Sequence, residues 1–280
     1  MTQESHSPSS ERAHYVRVPA PWVAACSDTG QRHQTNQDAL CLAVRGEPQR
    51  EAVLAVADGV TTAEGSELAS LVAAEVAVQQ LVEQVEAGVA TNVAFVQAFA
   101  SANDEVLAAA EDPSACTLIT ALVQPGLITI GNVGDSRAYW LGDDRSCVLL
   151  STDDSMAQAR MMLGMPRDEA EQSSQAHAIT KWLGRQATNV TPSVVTLQPE
   201  GNGWLLVESF REDDHRRSGA RTLCITDHGP DYVGNTAVTN QEVRDYLSQG
   251  CAQGSIYDDR AFGRPNSVAI FGGRFAHRIS

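Results

Sequence analysis

Short runs of β-branched and aliphatic residues, separated by brief polar breaks, constrain the fold of this chain more than any other feature. Such runs are typical of buried strands, and they occur at residues 52–57, 116–123, 127–133, 137–141, 147–151, 194–198, 222–226 and 267–271. Gln124-Pro125-Gly126 separates the second run from the third, and Gly134-Asp135-Ser136 separates the third from the fourth. Both breaks predict tight hairpins. The strands are therefore expected to pair in antiparallel sheets.

Two long segments, Ser66–Val85 and Val93–Ala110, are predicted to be helices, and a third helix is predicted at Asn240–Leu247. The first begins with a serine and an early glutamate, which is typical of a helix N-terminus. It is apolar almost all round, which indicates packing against a sheet with further cover on other sides. Helix pairs combined with antiparallel strands predict an α+β sandwich. The polar segment Arg211–Arg221 is expected to be a surface loop.

Length and composition favour one domain. A chain of 280 residues suits a single core, and we assign residues 19–280 to that domain. Residues 1–18 are rich in serine, proline and charge, so we expect a disordered leader there.

Charge and cysteine usage exclude some classes of partner and site. The net charge of −15 disfavours nucleic acid and anionic membranes as partners, because both are negatively charged. The six cysteines include no Cys-x-x-Cys pair of the kind found in zinc or redox sites. The N-terminal segment is polar, and no run of eighteen apolar residues occurs. We expect a cytoplasmic protein.

Acidic or amide side chains stand at the ends of several predicted strands. Asp58 ends the run 52–57, Asp227 ends the run 222–226, Asp135 lies between two runs, and Asn266 precedes the last one. If these strand ends share one edge, a cation must offset the repulsion between the buried carboxylates. Oxygen donors favour Mg²⁺ or Mn²⁺ over Zn²⁺. An aspartate that only opens a turn is the alternative at each position, and the pattern alone leaves both interpretations open.

Seven segments resemble, in order, the motifs of the bacterial metal-dependent PPM/PP2C protein phosphatases, in an actinobacterial-like subgroup. The stretch Gly131-Asn132-Val133-Gly134-Asp135-Ser136-Arg137-Ala138-Tyr139 matches that family's most recognisable motif almost letter for letter. The matching segments are residues 27–39, 55–70, 131–139, 151–155, 177–184, 223–227 and 264–269. Seven motifs in the right order are far more specific than any one of them.

The resemblance implies a fold and a metal centre. The fold would be a four-layer α-β-β-α sandwich, in which helices flank two antiparallel sheets. The centre would hold two Mn²⁺ or Mg²⁺ ions, with Asp58 bridging them and Asp135 in a looser third site. The implied metal ligands are Asp58, the Gly59 carbonyl, Asp135, Asp227 and Asn266.

The resemblance also implies an activity, the hydrolysis of phosphoserine and phosphothreonine in proteins. A metal-bound hydroxide would attack phosphorus, while Arg32 or His33 would neutralise the phosphate oxygens. Asp38 would stand behind the direct metal ligands. Phosphorylated proteins would be the substrates, and serine/threonine kinases the expected partners.

The sequence departs from the family pattern within this implied centre. Asn266 stands where the family has aspartate, Ser267 where it has asparagine, and His228 where it has glycine; Thr61 and Thr62 replace glycines. Two charges ~4 Å apart interact by about 4 kcal/mol at an effective dielectric constant near 20. Losing half of that would weaken metal binding more than about tenfold, so one ion is expected to bind weakly. A substitute nitrogen ligand at His228 is an open alternative.

These departures leave two functions open. The chain is either an active phosphatase, or a pseudophosphatase that keeps the fold and acts as a phosphoprotein-binding or regulatory module. The first is favoured, because the bridging carboxylate Asp58 is retained and an amide oxygen remains at Asn266. Metal-dependent turnover distinguishes the two.

Overall fold

The computed structural model describes the greater part of the chain. The described residues are 2–4, 14–20, 22–28, 35–45, 50–60, 63, 65–110, 114–142, 146–209 and 267–273. The helix predicted at 240–247, the strand predicted at 222–226 and the loop predicted at 211–221 lie outside them.

The described strands form two six-stranded sheets and one two-stranded sheet. In chain order they are β1 (Thr2–Glu4), β2 (His14–Ala20), β3 (Val23–Asp28), β4 (Ala39–Arg45), β5 (Glu51–Ala57), β6 (Ala115–Cys116), β7 (Leu118–Gln124), β8 (Leu127–Val133), β9 (Arg137–Gly142), β10 (Cys147–Leu149), β11 (Leu183–Gly184), β12 (Ser193–Leu197), β13 (Gly203–Glu208) and β14 (Ser267–Gly273). The first sheet has the order β1-β4-β5-β7-β8-β12, and the second has the order β10-β9-β13-β14-β3-β2. All pairings between these strands are antiparallel, as predicted.

The first sheet is buried on both faces. Because side chains alternate along a strand, Leu40 and Leu42 of β4 pack toward the second sheet, whereas Ala39, Cys41 and Ala43 pack toward two helices. These helices are α1 (Ser66–Glu86) and α2 (Thr91–Ala109), which pack against each other. The predicted α+β sandwich of antiparallel sheets and helices is thus confirmed, and three of its four predicted layers lie within the described residues.

One of the two predicted hairpins is present and the other is wrong. Pro125-Gly126 joins β7 to β8, and Gly126 adopts the left-handed φ of +74° that suits a tight turn. The break at Gly134–Ser136 is not a hairpin, because β8 belongs to the first sheet and β9 to the second. Each of these two strands pairs with two other strands, and the strands with which it pairs are determined by contacts with residues distant in sequence. The connection therefore crosses between the sheets and carries Asp135 to their common end.

The run predicted as one strand at 116–123 is divided at Thr117. The N–H of Thr117 donates to the carbonyl of Asp58 at 2.8 Å. β6, before the break, pairs with β11, whereas β7, after it, joins the first sheet. A residue that interacts with the chain near Asp58 thus interrupts an otherwise continuous apolar run.

Within residues 1–18, where a disordered leader was expected, the structure describes strands. β1 pairs with β4 at one edge of the first sheet, and β2 pairs with β3 at one edge of the second. Polar side chains of this kind bury too little apolar surface to form a core of their own. A sheet edge, however, has unpaired backbone groups that can accept an additional strand.

Two short helices, α3 (Met156–Met162) and α4 (Arg167–Glu171), lie outside the main sandwich core. Ala157, Ala170 and Ala176 form a small separate cluster beneath them. Ser155 caps α3, since its Oγ accepts the N–H of Gln158 at 3.2 Å. Within the described part of the chain, no helix is long and apolar enough to cross a membrane.

Candidate metal centre

The strand registers bring one end of each sheet to the same place. In the first sheet, the end of β5 lies opposite the start of β4, and the end of β8 lies opposite the start of β7. In the second sheet, the start of β9 lies opposite the end of β13, which lies opposite the start of β14. The crossing between β8 and β9 joins these two ends. We call this end of the sandwich the rim; Asp38, Asp58 and Asp135 lie on it.

Asp58 follows the last residue of β5 and is only 9% exposed. Its backbone N–H donates to Thr117 Oγ1 at 3.1 Å, and the next residue, Gly59, donates its N–H to the carbonyl of Gln37 at 3.1 Å. A Cβ at position 59 would lie 2.6 Å from that carbonyl oxygen and 2.9 Å from the carbonyl oxygen of Ser66, so glycine is required there. These contacts fix the backbone that carries the Asp58 carboxylate.

Asp38 is buried beside the rim. Its Oδ2 accepts the hydroxyl proton of Ser209 at 2.9 Å, which links the start of β4 to the end of β13. Its N–H donates to Asn36 Oδ1 at 3.0 Å, and Asn36 Nδ2 in turn donates to Ser27 Oγ at 2.7 Å. Asp38 therefore helps to join the two sheets, and its place behind the metal ligands stays a prediction.

Asp135 lies partly buried on the crossing between the sheets. Burial, followed by the negative charges of Asp58 and Asp153, raises the pKa of its carboxyl group to about 8, against the opposing effect of Arg137. The carboxyl groups of Asp58 and Asp135 therefore influence each other electrostatically. Repulsion of this kind is relieved when a cation binds between carboxylates.

Two buried hydroxyl groups connect these aspartates and were not singled out from the sequence. Thr117 Oγ1, which accepts the Asp58 N–H, also lies 2.9 Å from Ser136 Oγ, next to Asp135. Both side chains are almost completely buried. The only sequence signal is a threonine or serine inside an apolar run, which is also common in ordinary strands.

A cavity of about 190 Å³ opens beside Asp135 and reaches to α3 and α4. Its lining includes Arg137, Asp153, Arg167 and His177. The site thus combines a carboxylate-bearing rim with an adjoining polar cavity.

The donors on the rim suit a hard divalent cation. The Asp58 and Asp135 carboxylates offer oxygen ligands, which Mg²⁺ and Mn²⁺ prefer. A softer donor is close by, but burial, followed by the charge of Asp58, raises the pKa of the Cys116 thiol, so it stays protonated and is a poor ligand. The described residues alone contain no group of three or more His, Cys, Asp or Glu side chains that could hold a metal ion.

The remaining predicted site residues lie outside the described residues. They are Arg32, His33, Asp227, His228 and Asn266. β14 nevertheless begins with Ser267 on the rim, where Ser267 pairs with Ser27. The structure thus describes Asp38, Asp58, Gly59 and Asp135 among the predicted site residues, and their roles in metal binding stay predictions.

Comparison with solved structures identifies several proteins of similar fold. Stp1, a serine/threonine phosphatase from Staphylococcus aureus, superposes with a TM-score of 0.60 at 21% identity, covering 89% of this chain and 93% of that one. The phosphatase PstP/Ppp from Mycobacterium tuberculosis gives 0.58 at 20% identity, covering 91% and 96%. The catalytic domain of PstP, in complex with two manganese ions, gives 0.51 at 19% identity, covering 91% of this chain and 96% of that one.

A comparison with curated protein sequences gives no match. The family model described as protein phosphatase 2C, in contrast, matches residues 29–191, which include Asp38, Asp58 and Asp135. That span is more than half of the 280 residues. This chain belongs to the protein phosphatase 2C family.

Proposed function

We propose that this chain is a metal-dependent phosphatase that hydrolyses phosphoserine and phosphothreonine in proteins. One observation carries the proposal. Asp58 from the first sheet and Asp135 from the crossing to the second lie on one rim, close enough for the charge of one to raise the pKa of the other. Membership of the protein phosphatase 2C family and a fold shared with bacterial serine/threonine phosphatases support the same activity.

Mn²⁺ or Mg²⁺ is the proposed cofactor, and a relative of similar fold is described in complex with two manganese ions. Asp58, the Gly59 carbonyl, Asp227 and Asn266 would hold two ions, and Asp135 a further one. Bound there, such ions would lower the pKa of water and neutralise phosphate charge. Arg32 or His33 would orient the phosphate group, and Asp38 would hold the rim together through Ser209.

Phosphorylated proteins are the proposed substrates, and serine/threonine kinases that produce them are the proposed partners. The net charge of −15 disfavours nucleic acid as a competing ligand. The cytoplasm remains the proposed location, because it is where such kinases and a reduced buried thiol such as Cys116 are both found.

The activity is tested with p-nitrophenyl phosphate and a phosphothreonine peptide, in millimolar Mn²⁺ and in EDTA. We expect turnover of both substrates in Mn²⁺ and none in EDTA. Asp58→Asn is expected to reduce turnover by at least about a hundredfold, because replacing a residue that only supports a metal ligand can already reduce activity by about that much. Asp104→Asn, which removes the same charge from an exposed position on α2, serves as the matched control and should behave as wild type.

Asn266→Asp tests the altered ligand position. Restoring the carboxylate should lower the Mn²⁺ concentration needed for half-maximal turnover by more than about tenfold. Absence of metal-dependent turnover in both the wild type and Asn266→Asp would rule out the enzyme. Turnover that survives Asp58→Asn would show that the activity comes from elsewhere.

A further inference from the structure

The connection that carries Asp135 is held on both sides by two consecutive aspartates. Before Asp135, Gly134 exchanges two hydrogen bonds with Asp154. The Gly134 N–H donates to Asp154 Oδ2 at 3.1 Å, and the Asp154 N–H donates to the Gly134 carbonyl at 2.8 Å. Both polar backbone groups of Gly134 are therefore bound by one residue.

After Asp135, Arg137 is held by Asp153. Arg137 Nη2 lies 2.5 Å from Asp153 Oδ2, and Arg137 Nε donates to both carboxylate oxygens at 3.1 Å. The two side chains are only 14% and 11% exposed, so water screens this ion pair less than it screens a surface pair. We call Asp153 and Asp154 together the aspartate clasp.

The clasp is itself anchored to neighbouring segments. The Asp154 carbonyl accepts the Thr180 N–H at 2.7 Å, and Lys181 Nζ lies 3.8 Å from Asp154 Oδ1. Asn132 Nδ2 donates to the carbonyls of both Gly134 and Thr152, each at 3.0 Å. Contacts with residues 180–181 on one side and with Asn132 on the other therefore set the position of the clasp.

The held connection has a conformation that needs such support. Gly134 has a φ of +112°, in the region that side-chain-bearing residues avoid. A Cβ there would lie 2.6 Å from Thr117 Cβ.

We propose that Asp154 is a positioning residue, which acts through Gly134 to hold Asp135 where its carboxylate can bind a divalent cation. This inference rests on the proposed function, since it assigns a support to one of its metal ligands. Asp154 itself need touch neither metal nor substrate. Residues that orient metal ligands in this way commonly affect metal affinity about 10- to 100-fold when they are replaced.

Mn²⁺ titration of the full chain, followed by the EPR signal of free Mn²⁺, tests the proposal without relying on activity. Asp154→Ala removes the acceptor for the Gly134 N–H and should weaken one class of Mn²⁺ site about 10- to 100-fold. Asp154→Asn keeps an oxygen that can accept this bond and should retain most of the affinity. Asp168→Asn, at an exposed position on α4, is the control for the loss of charge and should match wild type.

Asn132→Ala provides a second variant that changes no charge. It removes the bonds to Gly134 and Thr152, and it also removes a buried amide oxygen that lacks a hydrogen-bond partner among the described residues. We expect the same class of Mn²⁺ site to weaken. Thermal unfolding in EDTA checks that each variant folds. If Asp154→Ala does not fold, the Mn²⁺ affinity of Asn132→Ala decides the question.

Three results would contradict the proposal in different ways. Wild-type affinity in Asp154→Ala, or in Asn132→Ala should the first not fold, overturns the positioning role alone. Equal losses in Asp154→Asn and Asp154→Ala would show that Asp154 acts only by its charge. If the wild type binds no Mn²⁺, the proposed function fails first and the positioning role fails with it.

Discussion

At the scale of single residues, one hydroxyl group links the two aspartates of the rim. Thr117 Oγ1 accepts the N–H of Asp58 and lies within hydrogen-bond distance of Ser136. The Thr117 hydroxyl, the Ser136 hydroxyl and the Asp58 N–H are all buried. None of them can therefore form a hydrogen bond with water instead if its partner is removed. Thr117 should therefore matter for both stability and metal-dependent activity.

Thr117→Val tests this link with little change in volume. The substitution leaves the Asp58 N–H without its acceptor, so we expect a loss of about 1–3 kcal/mol in the free energy of unfolding. Turnover in Mn²⁺ should also fall. Thr117→Ser keeps the hydroxyl and should retain most of both properties; urea unfolding and p-nitrophenyl phosphate hydrolysis measure them. Equal behaviour of the valine and serine variants would contradict a role for the hydroxyl.

Asp135 makes the stability of the metal-free protein depend on pH. An unfolded aspartate ionises near pH ~3.9, whereas the folded pKa is raised to about 8. Between these values the folded state holds a proton that the unfolded state has released, so this group lowers stability as pH rises. A cation binds the ionised carboxylate, and its stabilising effect should therefore increase over the same range.

Thermal unfolding at pH 6, 7 and 8, in EDTA and in Mn²⁺, checks this prediction. The rise in melting temperature caused by Mn²⁺ should grow with pH, and Asp135→Asn should reduce that growth. Asp104→Asn should leave it unchanged. A Mn²⁺ effect that is the same at every pH in the wild type would show that Asp135 does not bind the ion.

Some of these residues could be predicted from the sequence and others could not. Asp58 stands out because it directly follows an apolar run, and Asp135 stands out because it lies in the short break between two such runs. Thr117, Ser136 and Ser209 do not, since small hydroxyl residues are ordinary in strands and their bonds join segments distant in sequence.

At the scale of elements, α2 fits the first sheet through a contact between an aromatic ring and a glycine. Phe95 and Phe99 are fully buried against β8, and a Cβ at Gly131 would collide with the Phe95 ring. This close approach holds the helix against the strand that leads to Asp135. Packing of this kind leaves little room for rearrangement when the ring is removed.

Phe95→Ala should lower the free energy of unfolding by about 3–5 kcal/mol, because it leaves a cavity between helix and sheet. Val96→Ala, on the exposed side of the same helix, should change it by less than about 0.5 kcal/mol; Val96 is 42% exposed. Urea unfolding of both variants provides the measurement. Similar losses in both would contradict the packing described for α2.

Long helices were easier to predict than the strands. The expected helix 66–85 corresponds to Ser66–Glu86, and the expected helix 93–110 corresponds to Thr91–Ala109. β3, β4 and β13 were not predicted, although all three lie inside sheets. β3 is rich in small residues, so its local preference for a strand is weak and the pairing with its neighbours decides.

At the scale of the whole molecule, the position of the rim follows from how the strands are shared between two sheets. The sequence indicated antiparallel strands and a sandwich, but it wrongly predicted a hairpin at Gly134–Ser136. The sheet that a strand joins depends on contacts with distant segments, so the sequence of a short polar break does not indicate whether the next strand stays in the same sheet. Because β8 and β9 belong to different sheets, the connection between them places Asp135 at the rim, near the end of β5, where Asp58 lies.

The central claim, that carboxylates from separate strands meet on the rim to bind divalent cations, is tested most directly by crystals soaked in Mn²⁺. Anomalous scattering at the manganese edge locates the ions without any assumption about activity. We predict at least one strong peak in ligand contact with the Asp58 carboxylate, and its loss in Asp58→Asn. Occupied manganese sites elsewhere, with none at Asp58, would contradict the account.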